Sequence, residues 1–183
     1  MNVITISRQL GSLGYEIGEA IAEKKQCRLY GREVINQSAM LCGVPEIALA
    51  MIDELGLLGL SPTEEECRAY FSCVENLMME YAKNGRAVIV GRAGQTILKN
   101  IPGAFHVRII APVDTRIKRI QLKQKISSEA ALAQIQKSDR YRKNYLKKYY
   151  QINWDDPEIY DLVVNTKNLS VHMASELICN FLD

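Results

Sequence analysis

With 183 residues, 48% of them hydrophobic and 24% charged, the chain is long enough to bury a core and too apolar to be disordered. A net charge of +2 excludes whole-molecule attraction to nucleic acid or membrane, so any basic site has to be local. Five cysteines, an odd number without a C-x-x-C pair, argue for reduced thiols and a cytoplasmic setting; Met1–Ser7 does not read as a signal peptide, and no run approaches the ~20 apolar residues of a membrane span.

The chain opens with a short apolar strand, Val3 to Ile6, then a glycine-containing loop, Ser7–Gly14, then a helix from about Tyr15 to Lys25 with Ile17, Ala20 and Ile21 on one face. Cys27 to Tyr30 is a second strand, followed by a helix from about Glu33 to Leu41 that Gly43 ends. Pro45 starts a helix to about Glu54, and Gly56–Leu60 is a loop. Ser61-Pro62 with Glu64 and Glu65 starts a long helix whose apolar positions run from Cys67 to Tyr81 and which stops at Gly85. Ala87–Val90 is a fully apolar strand; a short helix, about Gln95 to Lys99, and the strand Phe105–Ile110 follow. Pro112 and Asp114 start a helix carrying Arg116 and Arg119, and a long helix runs from about Ser128 to Tyr149. Leu162–Asn165 is the last strand, and Ser170 caps the last helix. Short apolar strands separated by helices predict an α/β fold, a three-layer parallel sheet of about five strands with helices on both faces.

Ligands in such sheets bind beyond the carboxyl ends of the strands, which places the Ser7–Gly14 loop at the site. Backbone N–H groups of Gly11, Ser12, Leu13 and Gly14, with the helix N-terminus at Tyr15 and Glu16 behind them, suit a phosphate. The phosphate-loop consensus G-x-x-x-x-G-K-[ST] is not met. Aligned without a gap, Arg8 takes the place of its first glycine, and Leu13, Gly14 and Tyr15 those of the second glycine, the lysine and the Ser/Thr. Arg8 is expected to supply the missing charge. Glu16 favours the helix dipole but repels phosphate unless Mg²⁺ lies between them.

Ile4–Arg8 with Gly11-Ser12 and Gly14–Gly18, Val88–Arg92, Ala111-Pro112 with Arg116 and Arg119, Lys137-x-Asp139-x-x-Arg142, and Trp154–Pro157 through Asn165-Thr166 keep their order along nearly the whole chain. In these segments the sequence resembles the cytidylate-kinase-like family, a branch of the P-loop nucleoside monophosphate kinases. The resemblance implies one kinase-like domain over 1–183, with a helical acceptor-binding insertion at about 29–85 and a lid at about 120–150. It implies ATP, with Mg²⁺ carried by the nucleotide and no metal ligands from the protein itself, and a nucleoside monophosphate as acceptor. Ser7, Arg8 and the Gly11–Glu16 segment would hold the donor, with Arg116 and Arg119. Arg92 and Lys137 would bind the acceptor, and Arg8, Asp139, Arg140 and Arg142 would act in catalysis. Two positions depart from the family pattern: Ala93 stands where Asp follows the arginine, and Gly31 where an acid is usual.

Asp139 and Arg142, three apart on a helix, are expected to pair and so orient the guanidinium. Two other readings remain open beside the kinase. One is a degenerate kinase that binds nucleotides or anions without turnover, which the missing lysine favours. The other is a nucleic-acid-binding or adaptor protein, suggested by Lys143, Lys147 and Lys148 among Tyr141, Tyr145, Tyr149 and Tyr150. Low net charge and the four-residue spacing of the tyrosines favour packing over nucleic acid. The stripe from Tyr70 to Tyr81 reads as core or as the face of a homodimer; no membrane partner is expected. His106 and His172 have no ligand-spaced partner.

Overall fold

The computed structural model describes residues 3–41, 43 and 63–182. The helix expected from Pro45, the Gly56–Leu60 loop and the cap at Ser61 lie outside the described residues. Five strands form one parallel sheet: β1 (Val3–Arg8), β2 (Arg28–Tyr30), β3 (Ala87–Val90), β4 (Ala104–Ile110) and β5 (Leu162–Asn165), in the order β2-β3-β1-β4-β5. The strand expected from Cys27 begins at Arg28, and β1 runs on to Arg8. The first strand is central, with Thr5 opposite Ile89 on one side and His106 on the other. That position explains its composition. A central parallel strand is covered on both faces, so Val3, Ile4 and Ile6 are all enclosed, and so is every residue of β3. The edge strands β2 and β5 are more exposed.

Side chains alternate across the sheet and feed two separate cores. On one face Ile4, Ile6, Val88, Val90, Val107 and Ile109 meet Ile17 and Ile21 of α1 (Gly14–Lys24) and Ala174 and Ile178 of the final helix. On the other, Val3, Ala87 and Ile89 meet Tyr70, Val74 and Met78 of α3 (Glu64–Asn84), with Tyr145, Leu146 and Trp154. The helix α2 (Arg32–Leu41) packs on α3. The Tyr70–Tyr81 stripe therefore presents its Tyr70, Val74 and Met78 face to the core. A one-turn α4 (Gly94–Ile97) follows β3, shorter than the Gln95–Lys99 helix expected.

The last three helices are α5 (Val113–Gln124), α6 (Ser128–Tyr150) and α7 (Val171–Asn180). Ser127 caps α6 by accepting from Ala130 N, and Ser170 caps α7 by accepting from Met173 N. Ile120, Ala131 and Ile135 clamp α5 to α6, with Leu10 of the loop packed against them. The tyrosines near the end of α6 close on Phe71, with ring centroids 6.4 Å (Tyr145), 4.8 Å (Tyr149) and 5.7 Å (Tyr150) away. Burial pushes the Tyr145 and Tyr150 hydroxyls above the ordinary phenol range, so both stay neutral. These rings are packing groups facing the protein rather than a platform for bases. Among the described residues, no helix is long and apolar enough to cross a membrane.

His106 carries a pH signature. Its Nδ1 lies 2.8 Å from Thr5 Oγ1 inside the sheet, and the His106 backbone N–H donates to Asp161 Oδ2 at 2.7 Å. Burial lowers the imidazole below its ordinary 6.5, against the weaker opposing pull of Asp161. Below 6.5 the unfolded chain takes up a proton that the folded chain resists, so stability falls as pH drops and levels off below the folded-state value. Urea midpoints should show this loss just below pH 6.5, with a slope of at most about 1.4 kcal/mol per pH unit. His106→Gln should flatten it, and an unchanged slope would show that another group titrates there.

Candidate functional site

At the carboxyl edge of β1 the chain turns through Gln9–Leu13 into α1. Gly11 (φ +79°) and Leu13 (φ +68°) both take the left-handed conformation. At Gly11 a side chain is excluded for a second reason: a Cβ would lie 3.0 Å from the Arg116 carbonyl oxygen. The loop is pinned from several sides. Ser12 is fully buried, and its hydroxyl donates to Gln9 O (2.8 Å) and Ile109 O (3.1 Å). Thr166 Oγ1 donates to Ser12 O at 2.9 Å, and Gln9 Oε1 accepts from Ala111 N. A loop held this way meets a ligand without ordering cost.

The loop walls a cavity of about 260 Å³, with Arg8, Gly11, Gly14 and Glu16 on one side and Arg119 and Lys123 on the other. Leu13, Tyr15 and Arg142 also line it. Arg119 donates to Thr166 O (2.6 Å), Thr166 Oγ1 (2.9 Å) and Gly11 O (3.4 Å), so it fixes α5 against the loop. Lys123 donates to Glu16 Oε1 at 2.9 Å across the mouth. Burial raises the Glu16 carboxyl, but the hydrogen bond and charge of Lys123 outweigh it and hold the group below its ordinary value.

Arg8 leaves β1 sideways through a channel walled by glycines. A Cβ on Gly14 would lie 2.4 Å from Arg8 Cβ, and one on Gly91 would lie 2.2 Å from Arg8 Nη1. The arginine therefore runs from the loop to the end of β3. There Gly91, Arg92 and Ala93 are all left-handed, a run that costs energy and turns the chain sharply. A second, small cavity is lined by Ser7, Gly91, Gln95 and Trp154, and again by Arg8 and Arg142. Both arginines thus line both cavities. Arg142 is almost fully buried and donates to Ser138 Oγ.

Several expected residues stand elsewhere. The expected Asp139–Arg142 pair does not form. Asp139 Oδ2 accepts from Arg116 Nη1 at 2.8 Å, while Arg142 turns back one helical turn to Ser138. Packing of α5 against α6 decides this, because it brings a buried guanidinium to Asp139 that helix spacing alone cannot reveal. Arg116, which also donates to Leu10 O, is a brace between the loop and α6 rather than a wall of the loop cavity. Lys137 and Arg140 are exposed beside the Tyr141 ring, at 5.7 and 5.8 Å, and line neither cavity. Arg92 is fully buried, 2.5 Å from Asn36 Oδ1 and 5.7 Å from the Tyr70 ring. The Ser12 hydroxyl is taken up by Gln9 O of the loop and Ile109 O of β4.

Sequence reasoning gave no role to Lys123, although it lies one turn beyond Arg119, a spacing that puts both on one face. It also gave none to the group that anchors the end of α6. Trp154 Nε1 donates to Ser7 Oγ at 2.8 Å, and Arg108 stacks on the Trp154 ring at 4.5 Å. Asp155 joins Arg108 and Lys143, each at 2.6 Å. Burial raises the Asp155 carboxyl, but these two cations outweigh it and keep the group below its ordinary value. Among the described residues, no cluster of three His, Cys, Asp or Glu could hold a metal ion.

The parallel sheet, the glycine loop entering a helix at its carboxyl edge and the arginine-bearing helices α5 and α6 define an α/β fold of the kind seen in P-loop kinases. Shikimate kinase from Acinetobacter baumannii superposes over the whole chain and 93% of its own, with a TM-score of 0.57 at 12% identity. An uncharacterized protein from Eubacterium ventriosum covers 100% and 99%, with a TM-score of 0.79 at 23% identity. Within that class the chain belongs to the cytidylate kinase-like family, whose model matches residues 3–168. It is 30% identical to a cytidylate kinase of Methanocaldococcus jannaschii over 112 residues, 60% of this chain and 63% of the relative. It is 26% identical to a cytidylate kinase of Ignicoccus hospitalis over 178 residues, 97% of each. A uronate isomerase of Corynebacterium glutamicum is 34% identical over 91 residues, half of this chain but 18% of that protein. The chain spans less than two thirds of the first and the last of these three curated relatives.

The glycine channel predicts a specific coupling. Gly91→Ala should destabilise by about 1–3 kcal/mol, through its positive φ and the clash with Arg8. Arg8→Ala should relieve part of that loss, so the double variant should be more stable than additivity predicts by at least ~0.5 kcal/mol. Additive urea-unfolding energies would show that Arg8 does not run past Gly91.

Proposed function

We propose that the chain is an ATP-dependent phosphotransferase acting on a nucleoside monophosphate. The observation that carries this reading is the placement of Arg8 and Arg142. They are shared by the loop cavity, which suits a triphosphate, and by a cavity of about 10 Å³ at the end of β3, too small for a nucleotide but on the side from which an acceptor would approach. Phosphoryl transfer calls for positioned positive charge between donor and acceptor more than for covalent chemistry. Gly11, Leu13, Gly14 and the N-terminus of α1 would take the donor phosphates, and Arg119 would form the wall beside them. Arg92, at the end of β3, would grip the acceptor phosphate once its contact with Asn36 opens. With Ala93 and Gly31 lacking carboxylates, the acceptor base is read without the acids that a pyrimidine amine would favour. An odd number of cysteines without a C-x-x-C pair suits a cytoplasmic setting.

The donor set fits a Mg²⁺ that rides on nucleotide phosphates and does not fit a protein-built cage. Glu16 is the carboxylate at the loop mouth, and its Oε1 already accepts from Lys123. Such an ion would supply charge neutralisation on the β- and γ-phosphates. The protein's own part is to hold the phosphates along the loop and to bring Arg142 over them.

Binding without turnover is the second reading, favoured by one observation: Gly14 stands where the loop lysine would be. Thermal shift with ATP, a panel of nucleoside monophosphates and both together, followed by product analysis, separates the two. Co-stabilisation with phosphorylated product supports the kinase. Binding without product supports the degenerate form, and no shift with any nucleotide overturns both.

In an active protein, Arg142→Ala should lower kcat by about 10³-fold and leave KM for ATP nearly unchanged. Asp139→Asn should behave differently, because Asp139 holds Arg116 and not Arg142. Its expected effect is a stability loss of about 3–5 kcal/mol from a buried guanidinium left without its carboxylate, with kcat per folded molecule little altered. Equal kcat losses in both variants would contradict this separation.

A further inference from the structure

The route of Arg8 and the absence of a loop lysine are two sides of one packing fact. A side chain at position 14 would need its Cβ 2.4 Å from Arg8 Cβ and 2.9 Å from Arg8 Cγ. Neither atom is the movable end of the arginine. While Arg8 crosses there, position 14 has to be glycine, and a lysine in the first helical position of the loop is sterically excluded. Nor does Arg8 restore that charge in place. Its Nη1 is carried to Gly91, just past the end of β3.

The opposite wall of the cavity supplies a cation. Lys123 lies in the last turn of α5, and its ammonium is 2.9 Å from Glu16 Oε1 in the first turn of α1. Its side chain is 75% exposed, so the ammonium can swing. Its helix cannot. Arg119, one turn earlier, is tied to Gly11 O and Thr166, and Ile120 is buried against α6. A mobile ammonium on a fixed wall, facing a glycine loop and a helix N-terminus, has the reach and the charge for a phosphate oxygen.

We infer that Lys123 replaces the loop lysine in trans to the loop: Glu16 holds its ammonium at the cavity mouth, and a polyphosphate lying along the loop takes it over. This inference rests on the proposed function only in requiring a polyphosphate in that cavity. Transfer of Lys123 leaves the Glu16 carboxylate beside bound phosphate, where its charge opposes binding unless a divalent cation lies between. The two ends of one ion pair therefore act in opposite directions on affinity. A strap that merely tied α1 to α5 would move both variants the same way, and an exposed pair of this kind contributes little to folding stability.

The test is isothermal titration of the full chain with inorganic tripolyphosphate and with ATP, each with and without Mg²⁺, with folding of each variant checked by its melting temperature. Lys123→Ala should weaken tripolyphosphate binding by about tenfold or more, the scale of a charge-assisted hydrogen bond, and Lys123→Arg by less than about threefold. Glu16→Gln should tighten binding without Mg²⁺ and shrink the gain that Mg²⁺ brings. Wild-type affinity in Lys123→Ala, or weakening in both Lys123→Ala and Glu16→Gln, overturns the role of Lys123 and leaves the loop site standing. A wild-type chain that binds neither ligand under either condition overturns this inference and the donor site of the proposed function together.

Discussion

One arginine side chain at the carboxyl end of the central strand sets the terms for everything around it. Arg8 crosses the sheet edge between Gly14 and Gly91; position 14 has to be free of a side chain because its Cβ would meet Arg8 Cβ, and position 91 favours glycine because of its positive φ. The first of these constraints shapes the loop and the start of α1. The second shapes the end of β3, where three successive left-handed residues turn the chain. The positions of Arg92 and of the small cavity follow from that turn. Strain of this kind persists only where the surroundings over-determine it, and here the surroundings are two sheet strands and two packed helices.

Around this strut lie four more guanidinium groups that are nearly or fully enclosed: Arg92, Arg108, Arg116 and Arg142. Burying a charge is costly unless partners compensate it. Arg108 meets Asp155 and lies over the Trp154 and Tyr160 rings, and Arg116 meets Asp139. Arg92 meets Asn36 and Tyr70, and Arg142 meets Ser138. The two carboxylate pairs tie distant elements together: Arg108 joins β4 to the segment after α6, and Arg116 joins α5 to α6.

The fold narrows the chemistry without choosing it, since a shikimate kinase and a sugar kinase share it. What distinguishes this chain lies in side chains at the sheet's edge. The expected acids at positions 31 and 93 are replaced by Gly and Ala, the loop lysine by Gly, and a lysine on α5 faces the loop instead.

Periodicity and punctuation alone determined the layers of this protein. A strand such as Val3–Ile6 or Ala87–Val90 has to be central because it is apolar on both faces, and the caps at Ser170 and the glycines closing helices are local chemistry. The loop at the end of β1 was legible for the same reason, as was the departure from the lysine-bearing consensus. Partnership between distant side chains was not. Asp139 looks toward Arg142 on a helical wheel, yet pairs with Arg116, 23 residues away in the chain. Nothing in the spacing announces that Trp154 reaches Ser7, 147 residues distant, or that Lys123 meets Glu16 across 107. Helix and strand periods are properties of a few adjacent residues, but which charge answers which depends on how α5 and α6 settle on the sheet, and only tertiary packing decides that.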